Sequence, residues 1–218
     1  LTGANPIYVS HALHPELNVG LGITPEQVAR ALDEHPDARL VALVSPSYCG
    51  VASDLAGIAA VAHAHGIPVH VDEAWGPEFH FHPQLPPSAM SSGVDTAVLS
   101  THKVLASLTQ AAILNVQGAL VDVDRLSTTI DMVNTTSPSV LILASIDATR
   151  RQMALHGVEL LDRTIRLAQD ARRRLQAIPG VGVLDAAQLG VREFDLTKLV
   201  VDVDGLQMTG YEVEDVLR

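Results

Sequence analysis

The sequence predicts an α/β fold, a three-layer αβα arrangement on a mainly parallel sheet. Two observations point there. Short aliphatic runs alternate with helical patterns, and turn residues separate them. Hydrophobic residues make up 47% of the chain but aromatic residues only 3%, so the core must come from Val, Leu, Ile and Ala, as suits a sheet buried between helices. At 218 residues there is room for one substantial domain, or most of one with an appendage.

Taken in order, Pro6 to Val9 reads as a short strand and is followed by a loop to Ile23. Thr24-Pro25-Glu26-Gln27 then opens a helix, with Thr24 as N-cap, Pro25 in the first turn and Gln27 placed to close a capping box. Val28, Ala31 and Leu32 give this helix an inward face. Arg39 to Val44 is a β-leaning run, and Ser45 to Gly50 is a loop. An Ala-rich helix runs from about Asp54 to His65 and stops at Gly66, in the C′ position. Ile67 to Val71 and Thr96 to Leu99 are the next strands, joined by a Pro-rich loop with a short helix at Ser88 to Ser92. Ala111 to Val116 supplies a further strand.

The texture then changes. Asp124 to Val133 is helical, Ser137-Pro138-Ser139 breaks the pattern, and Val140 to about Ile178 is helical again with a bend at Gly157. Lys198 to Val203 reads as a strand, and Thr209-Gly210-Tyr211-Glu212 is a second capping box. These signals divide the chain into a major domain, residues 1–178, and the beginning of a small α+β unit, residues 179–218. The start at Leu1, without an initiator Met, and the end at Arg218 inside a helical pattern are those expected of a piece of a longer protein.

A net charge of −11 opposes association with a nucleic-acid backbone or an anionic membrane surface, and leaves small molecules and proteins as partners. No apolar stretch approaches the roughly 20 residues of a membrane helix, and no signal peptide opens the chain. The single cysteine, Cys49, excludes an internal disulfide framework; a lone cysteine of this kind is usually a small packing residue. A soluble cytoplasmic protein is expected.

Ligands of parallel α/β sheets collect at the carboxyl ends of the strands, and two charged residues stand there: Asp72 and Lys103. Alone, Asp72 reads as a turn or cap residue and Lys103 as a solvated lysine. Together, an acid and an amine at neighbouring strand ends suit three chemistries. The first is a structural ion pair. The second is a metal site, since His70 and Asp72 share a strand face and His102 could join them; His80 and His82 are a similar pair, read as loop residues, whereas His63 and His65 lie on different faces of a helix. The third is pyridoxal phosphate chemistry, in which a lysine forms a Schiff base and a carboxylate keeps the pyridine nitrogen protonated. Ser100, Thr101 and His102 directly precede Lys103 and offer donors for a phosphate, and Ala74 is small enough to lie on a cofactor ring.

The stretches VDEAWGPEFHFHPQLPPSAM, STHKVLASLTQAAIL and SPSVLILASIDATRRQMALHG resemble the major domain of the Orn/Lys/Arg decarboxylases, pyridoxal phosphate-dependent enzymes of fold type I in the aspartate aminotransferase superfamily. The likeness runs from GANPIYV through SPSYCG to TGYEVEDVLR. It implies decarboxylation of ornithine, lysine or arginine to the corresponding amine, with Lys103 as the Schiff-base lysine and Asp72 as partner of the pyridine nitrogen. It further implies that Ser100 and His102 contact the phosphate, that Ala74 packs on the ring, and that Thr136 and Ser137 reach the neighbouring subunit's site in a homodimer or larger homo-oligomer. Aminotransfer and β-elimination share the Asp and Lys and remain alternatives, as does a non-catalytic truncated fragment. Two family features have no counterpart in this sequence: a Gly-Ser/Thr-rich phosphate loop upstream and a histidine that stacks on the cofactor. Val140 stands where relatives commonly carry an aromatic residue.

Overall fold

The computed structural model describes residues 3–218. In chain order the elements are α1 (Pro25–Glu34), β1 (Val41–Val44), β2 (Val51–Ala52), α2 (Leu55–Ala64), β3 (Val69–Asp72), β4 (Thr96–Leu99), β5 (Ile113–Val116), α3 (Val123–Val133), α4 (Val140–Gln176), β6 (Gly182–Val183), α5 (Ala186–Leu189), β7 (Glu193–Phe194), β8 (Val201–Asp202) and α6 (Gly210–Leu217). Single 3-10 turns occupy Phe79–Phe81 and Asp204–Leu206.

The central sheet has the order β1-β3-β4-β5. β3 lies between two parallel neighbours, with Val44 of β1 opposite Asp72 and Val98 of β4 opposite Asp72 on the other side. β5 runs antiparallel to β4, Leu99 facing Ile113. A parallel return would need a crossover, usually a helix, and the segment between β4 and β5 contains none. The sheet is therefore mainly parallel with one reversed edge strand.

Local sequence explains why these elements form where they do. Thr24 caps α1 through its predicted capping box, its hydroxyl accepting from the Gln27 N–H while the Gln27 side chain accepts from the Thr24 N–H. Asp54 caps α2, its carboxylate accepting from the Gly57 N–H at 2.9 Å, and Gly66 ends the turn at φ +70°. Gly57 also brings the two helices close: a Cβ there would lie 2.6 Å from Cγ of Pro25. Val28 and Leu32 of α1 join Ile58 and Ala62 of α2 over Val69, Val71 and Ala97 of the sheet, and this cluster is the main core.

A second apolar cluster joins α4 to the β3–β4 connection, packing Met153, Leu161 and Ile165 against Phe79 and Leu85. α4 is continuous through Gly157, which is buried with Phe81 Cβ 3.1 Å from where its own Cβ would be. The missing side chain permits this close packing against Phe81. Pro6 to Val9 forms no strand: these residues are exposed and pair with no neighbour among the described residues. Ser88 to Ser92 forms turns closed by hydroxyl bonds to the Ser88 carbonyl, not a helix.

Towards the C-terminus, β7 pairs antiparallel with β2, and β6 with β8. The expected strand from Lys198 to Val203 shrinks to β8, while α6 opens on its predicted capping box at Thr209. A third cluster ties Val19 and Val51 to Leu184, Leu189 and Phe194, with Cys49 half-buried at its margin. Among the described residues no helix is long and apolar enough to cross a membrane.

Because Ile58 is fully buried in the main cluster, Ile58→Ala should destabilise the fold by about 2–5 kcal/mol, read as a lower urea midpoint with an unchanged slope.

Candidate active site

Both sides of Asp72 are fixed by backbone hydrogen bonds that carry the ladders one residue past the strands. The Ser45 N–H donates to the Asp72 carbonyl at 3.1 Å, and the Glu73 N–H donates to the Val98 carbonyl at 2.9 Å. The Asp72 side chain is half-buried; its Oδ1 accepts from the Ala74 N–H at 3.0 Å and its Oδ2 makes no hydrogen bond with the described residues. Ala74 itself is buried.

On the neighbouring strand the chain turns after Leu99, and the Lys103 N–H donates to the Ser100 carbonyl at 3.1 Å. The Ala111 carbonyl holds this turn, accepting from Thr101 Oγ1 at 3.2 Å and from His102 Nδ1 at 2.8 Å. Ser100 and His102 are half-buried. Lys103 is exposed: it stands beyond the strand in the turn, where sheet neighbours no longer flank it. Its ammonium group lies 5.1 Å from the centroid of the Trp75 ring and has no carboxylate within 4.0 Å among the described residues.

Trp75 is thus the hub of the site, a role that nothing in the residue pattern announces beyond its being the only tryptophan. Tyr48, from the loop after β1, meets it edge to face with centroids 5.2 Å apart. A second lysine, Lys198, lies over the same ring at 4.2 Å. Lys198 carries no motif that sequence reading could have singled out; only the β2–β7 pairing brings its segment here.

Beside this group lie buried acids. Glu78 is fully buried and neither carboxyl oxygen has a hydrogen-bond partner; burial, reinforced by the neighbouring Asp195, pushes its pKa up to about 8. Asp195 is also fully buried, with Oδ1 accepting from the Thr197 N–H and hydroxyl and Oδ2 unpartnered. Glu73 is pushed to about 8 by burial too, although its Oε1 accepts from the Ala89 N–H at 2.8 Å. Glu73 and Glu78 therefore hold their protons near neutrality and add little negative charge beside the lysines.

The histidines that made a metal site conceivable are engaged elsewhere. His70 Nδ1 bonds Thr96 Oγ1 at 2.9 Å on the adjacent strand, and desolvation lowers its pKa, against a smaller opposing effect of Asp72. His63 pairs with buried Asp95 at 2.8 Å, and His65 stands 3.6 Å from Asp33 on another side of α2. His80 is exposed in the 3-10 turn, whereas His82 is buried and bonded to Asp162 of α4 at 3.1 Å. Among the described residues no group of three or more His, Cys, Asp or Glu could hold a metal ion. Thr136 and Ser137 lie in the exposed link between α3 and α4, and no hydrogen bond joins them to Asp72 or Lys103.

Residues 1–199 match the family described as Orn/Lys/Arg decarboxylase, major domain. The chain belongs to this family. Over its whole length it is 44% identical to the arginine decarboxylase of Bacillus subtilis (strain 168) and 44% identical to that of Halalkalibacterium halodurans, covering 45% of each. It therefore spans a little under half the length of these relatives. The crystal structure of a lysine decarboxylase from Francisella novicida superposes with a TM-score of 0.69 at 24% identity, over 91% of this chain and 32% of that one. That likeness shows the fold: α/β, consistent with three αβα layers, as in fold-type I enzymes of the Orn/Lys/Arg decarboxylase family.

Raised acid pKa values weaken a fold as pH rises. Between the ordinary glutamate range and about 8 the folded protein keeps the Glu78 proton that the unfolded chain has lost, so stability falls with increasing pH by on the order of 1 kcal/mol per unit and levels off above 8. Glu78→Gln should remove this contribution. The difference in melting temperature between variant and wild type should move in favour of the variant from pH 5 to pH 8.

Proposed function

We propose that this chain is the major part of a pyridoxal phosphate-dependent decarboxylase that converts arginine to agmatine and carbon dioxide. The observation that carries the reading is the position of Asp72 at the carboxyl end of β3 and of Lys103 in the turn beyond the adjacent parallel β4, with the Lys103 ammonium group over Trp75. The names of the 44% identical relatives support arginine as the substrate.

The residues suit the cofactor. Asp72 keeps one oxygen unengaged, as a partner for a protonated pyridine nitrogen requires. Ala74 offers a small buried surface beside it for the face of a flat ring. Lys103 is an amine with no carboxylate partner, on a turn pinned by the Ala111 carbonyl, and it would hold the cofactor covalently. Ser100 and His102 on that turn would contact the phosphate. Bound there, the cofactor supplies an electron-withdrawing ring that accepts the electron pair released when carbon dioxide leaves. Asp72 acts by charge, favouring the protonated ring nitrogen over the neutral one. Tyr48 braces Trp75 edge to face, and the Lys103 amine above that ring is available to exchange with the substrate amine.

In this reading residues 1–178 form the cofactor-binding domain and 179–218 begin a small α+β domain, the two joined through the β2–β7 pair. Thr136 and Ser137, exposed between α3 and α4, are assigned to the neighbouring subunit's site in a homodimer of a cytoplasmic enzyme of amino-acid and polyamine metabolism.

The test is carbon dioxide and agmatine release from L-arginine by the full chain loaded with pyridoxal phosphate, with lysine and ornithine as comparison substrates. Lys103→Ala should abolish the visible absorption band of the bound cofactor and lower kcat at least about a thousandfold. Asp72→Asn should keep the band and lower kcat about a hundredfold, ~3 kcal/mol. Keto-acid formation without amine would instead identify an aminotransferase, and absence of turnover would defeat the reading.

A further inference from the structure

Lys198 is placed with more care than a surface lysine needs. Its N–H donates to the Asp195 carbonyl at 3.1 Å, and its own carbonyl accepts from Arg172 Nη2 of α4 at 2.8 Å. Its stem crosses Gly50, where a Cβ would lie 2.8 Å from Lys198 Cγ and 3.3 Å from Asp195 Cβ; Gly50 has φ +89°, a left-handed conformation that suits glycine. The ammonium group so delivered rests over Trp75, the ring that also carries Lys103. Ordering a lysine costs side-chain entropy, and a half-buried ammonium ordinarily has a counter-charge. Among the described residues Lys198 has none within 4.0 Å.

The nearby acids do not supply one. Glu78 carries its proton near neutrality, and no oxygen of Asp195, whose Oδ1 accepts from Thr197, lies within 4.0 Å of the ammonium group. Glu73 is likewise protonated, and Arg172 brings a further positive charge to the Lys198 carbonyl. Two ammonium groups, neither with a carboxylate within 4.0 Å among the described residues, therefore face one indole, an arrangement that suits an anionic group arriving with a ligand.

We propose that Lys198 seats the α-carboxylate of the amino-acid substrate, the group that departs as carbon dioxide. The proposal rests on the reading of Lys103 as the amine that holds the cofactor, since Trp75 ties the two lysines to one site. The substrate amine, held in the place that the Lys103 amine gives up, and the carboxylate bound at Lys198 would fix two substituents of the α-carbon, and with them the direction of the bond that breaks. When that bond breaks, the electron pair stays with the α-carbon and neutral carbon dioxide leaves. The Lys198 ammonium then loses its ion partner and returns to the indole face, which offsets the cost of losing the pair.

The measurement is spectral titration of the cofactor-loaded full chain with L-arginine and with agmatine, which has the same guanidinium but no carboxylate. Lys198→Met should raise the Kd for arginine about tenfold or more and leave that for agmatine within about twofold. Lys198→Arg should restore most of the arginine affinity, which also guards against a variant that merely misfolds. Equal weakening of both ligands, no change for either, or loss of the cofactor itself would overturn the proposal, the last by placing Lys198 on the cofactor phosphate. A wild-type protein that answers neither ligand defeats the decarboxylase reading, and this inference with it.

Discussion

The site depends on the parallel pairing of β3 with a strand on each side. Val69 and Val71 are fully buried in the core, and β1 and β4 complete the backbone hydrogen bonding of β3 on both edges. That enclosure fixes where the strand can end and aims the loops beyond it into one space. Asp72 is the first residue past the apolar run, so its side chain emerges where the sheet stops and the turns begin. β4 ends alongside, and the turn carrying Lys103 opens towards the same space. A slip of one residue in β3 would turn Val71 outward and Asp72 into the core, a change the burial of Val69 and Val71 strongly disfavours.

The residues differ in how plainly their sequence announces them. Thr24 with Gln27, Asp54, Gly66 and Thr209 act on the backbone within a few positions, so their caps could be read directly. Asp72 and Lys103 were legible because each closes an apolar strand with a charge. Pro6 to Val9 has a strand-like composition, but a strand also needs an edge to pair with. The antiparallel β5 depends on the absence of a helix after β4, and the two-residue strands β2, β6 and β7 are too short for any periodicity. Trp75 and Lys198 were illegible for another reason: their meeting spans most of the chain and is made by packing. Gly157 shows the same limit, because a glycine within a helix reads equally as a bend or as a place where another segment comes close.

The buried acids set the electrostatics. A chain of net charge −11 would be expected to surround a ligand site with negative potential, yet beside the lysines at Trp75 the desolvated Glu73 and Glu78 hold their protons near neutrality. The site is therefore less negative than the global figure suggests. Such a reduction favours a zwitterionic or anionic small molecule there while the outer surface still repels polyanions.

The contact between the β3–β4 connection and α4 carries a dynamic consequence. Phe81 lies against Gly157, and His82, its Nδ1 accepting from the Gln84 N–H, gives its Nε2 proton to Asp162 one turn further along the helix. Both ties join the loop that contains Glu78 to the middle of α4. The two segments should open as a single cooperative unit, with matched amide exchange rates, and water would reach the Glu78 carboxyl only in that opening.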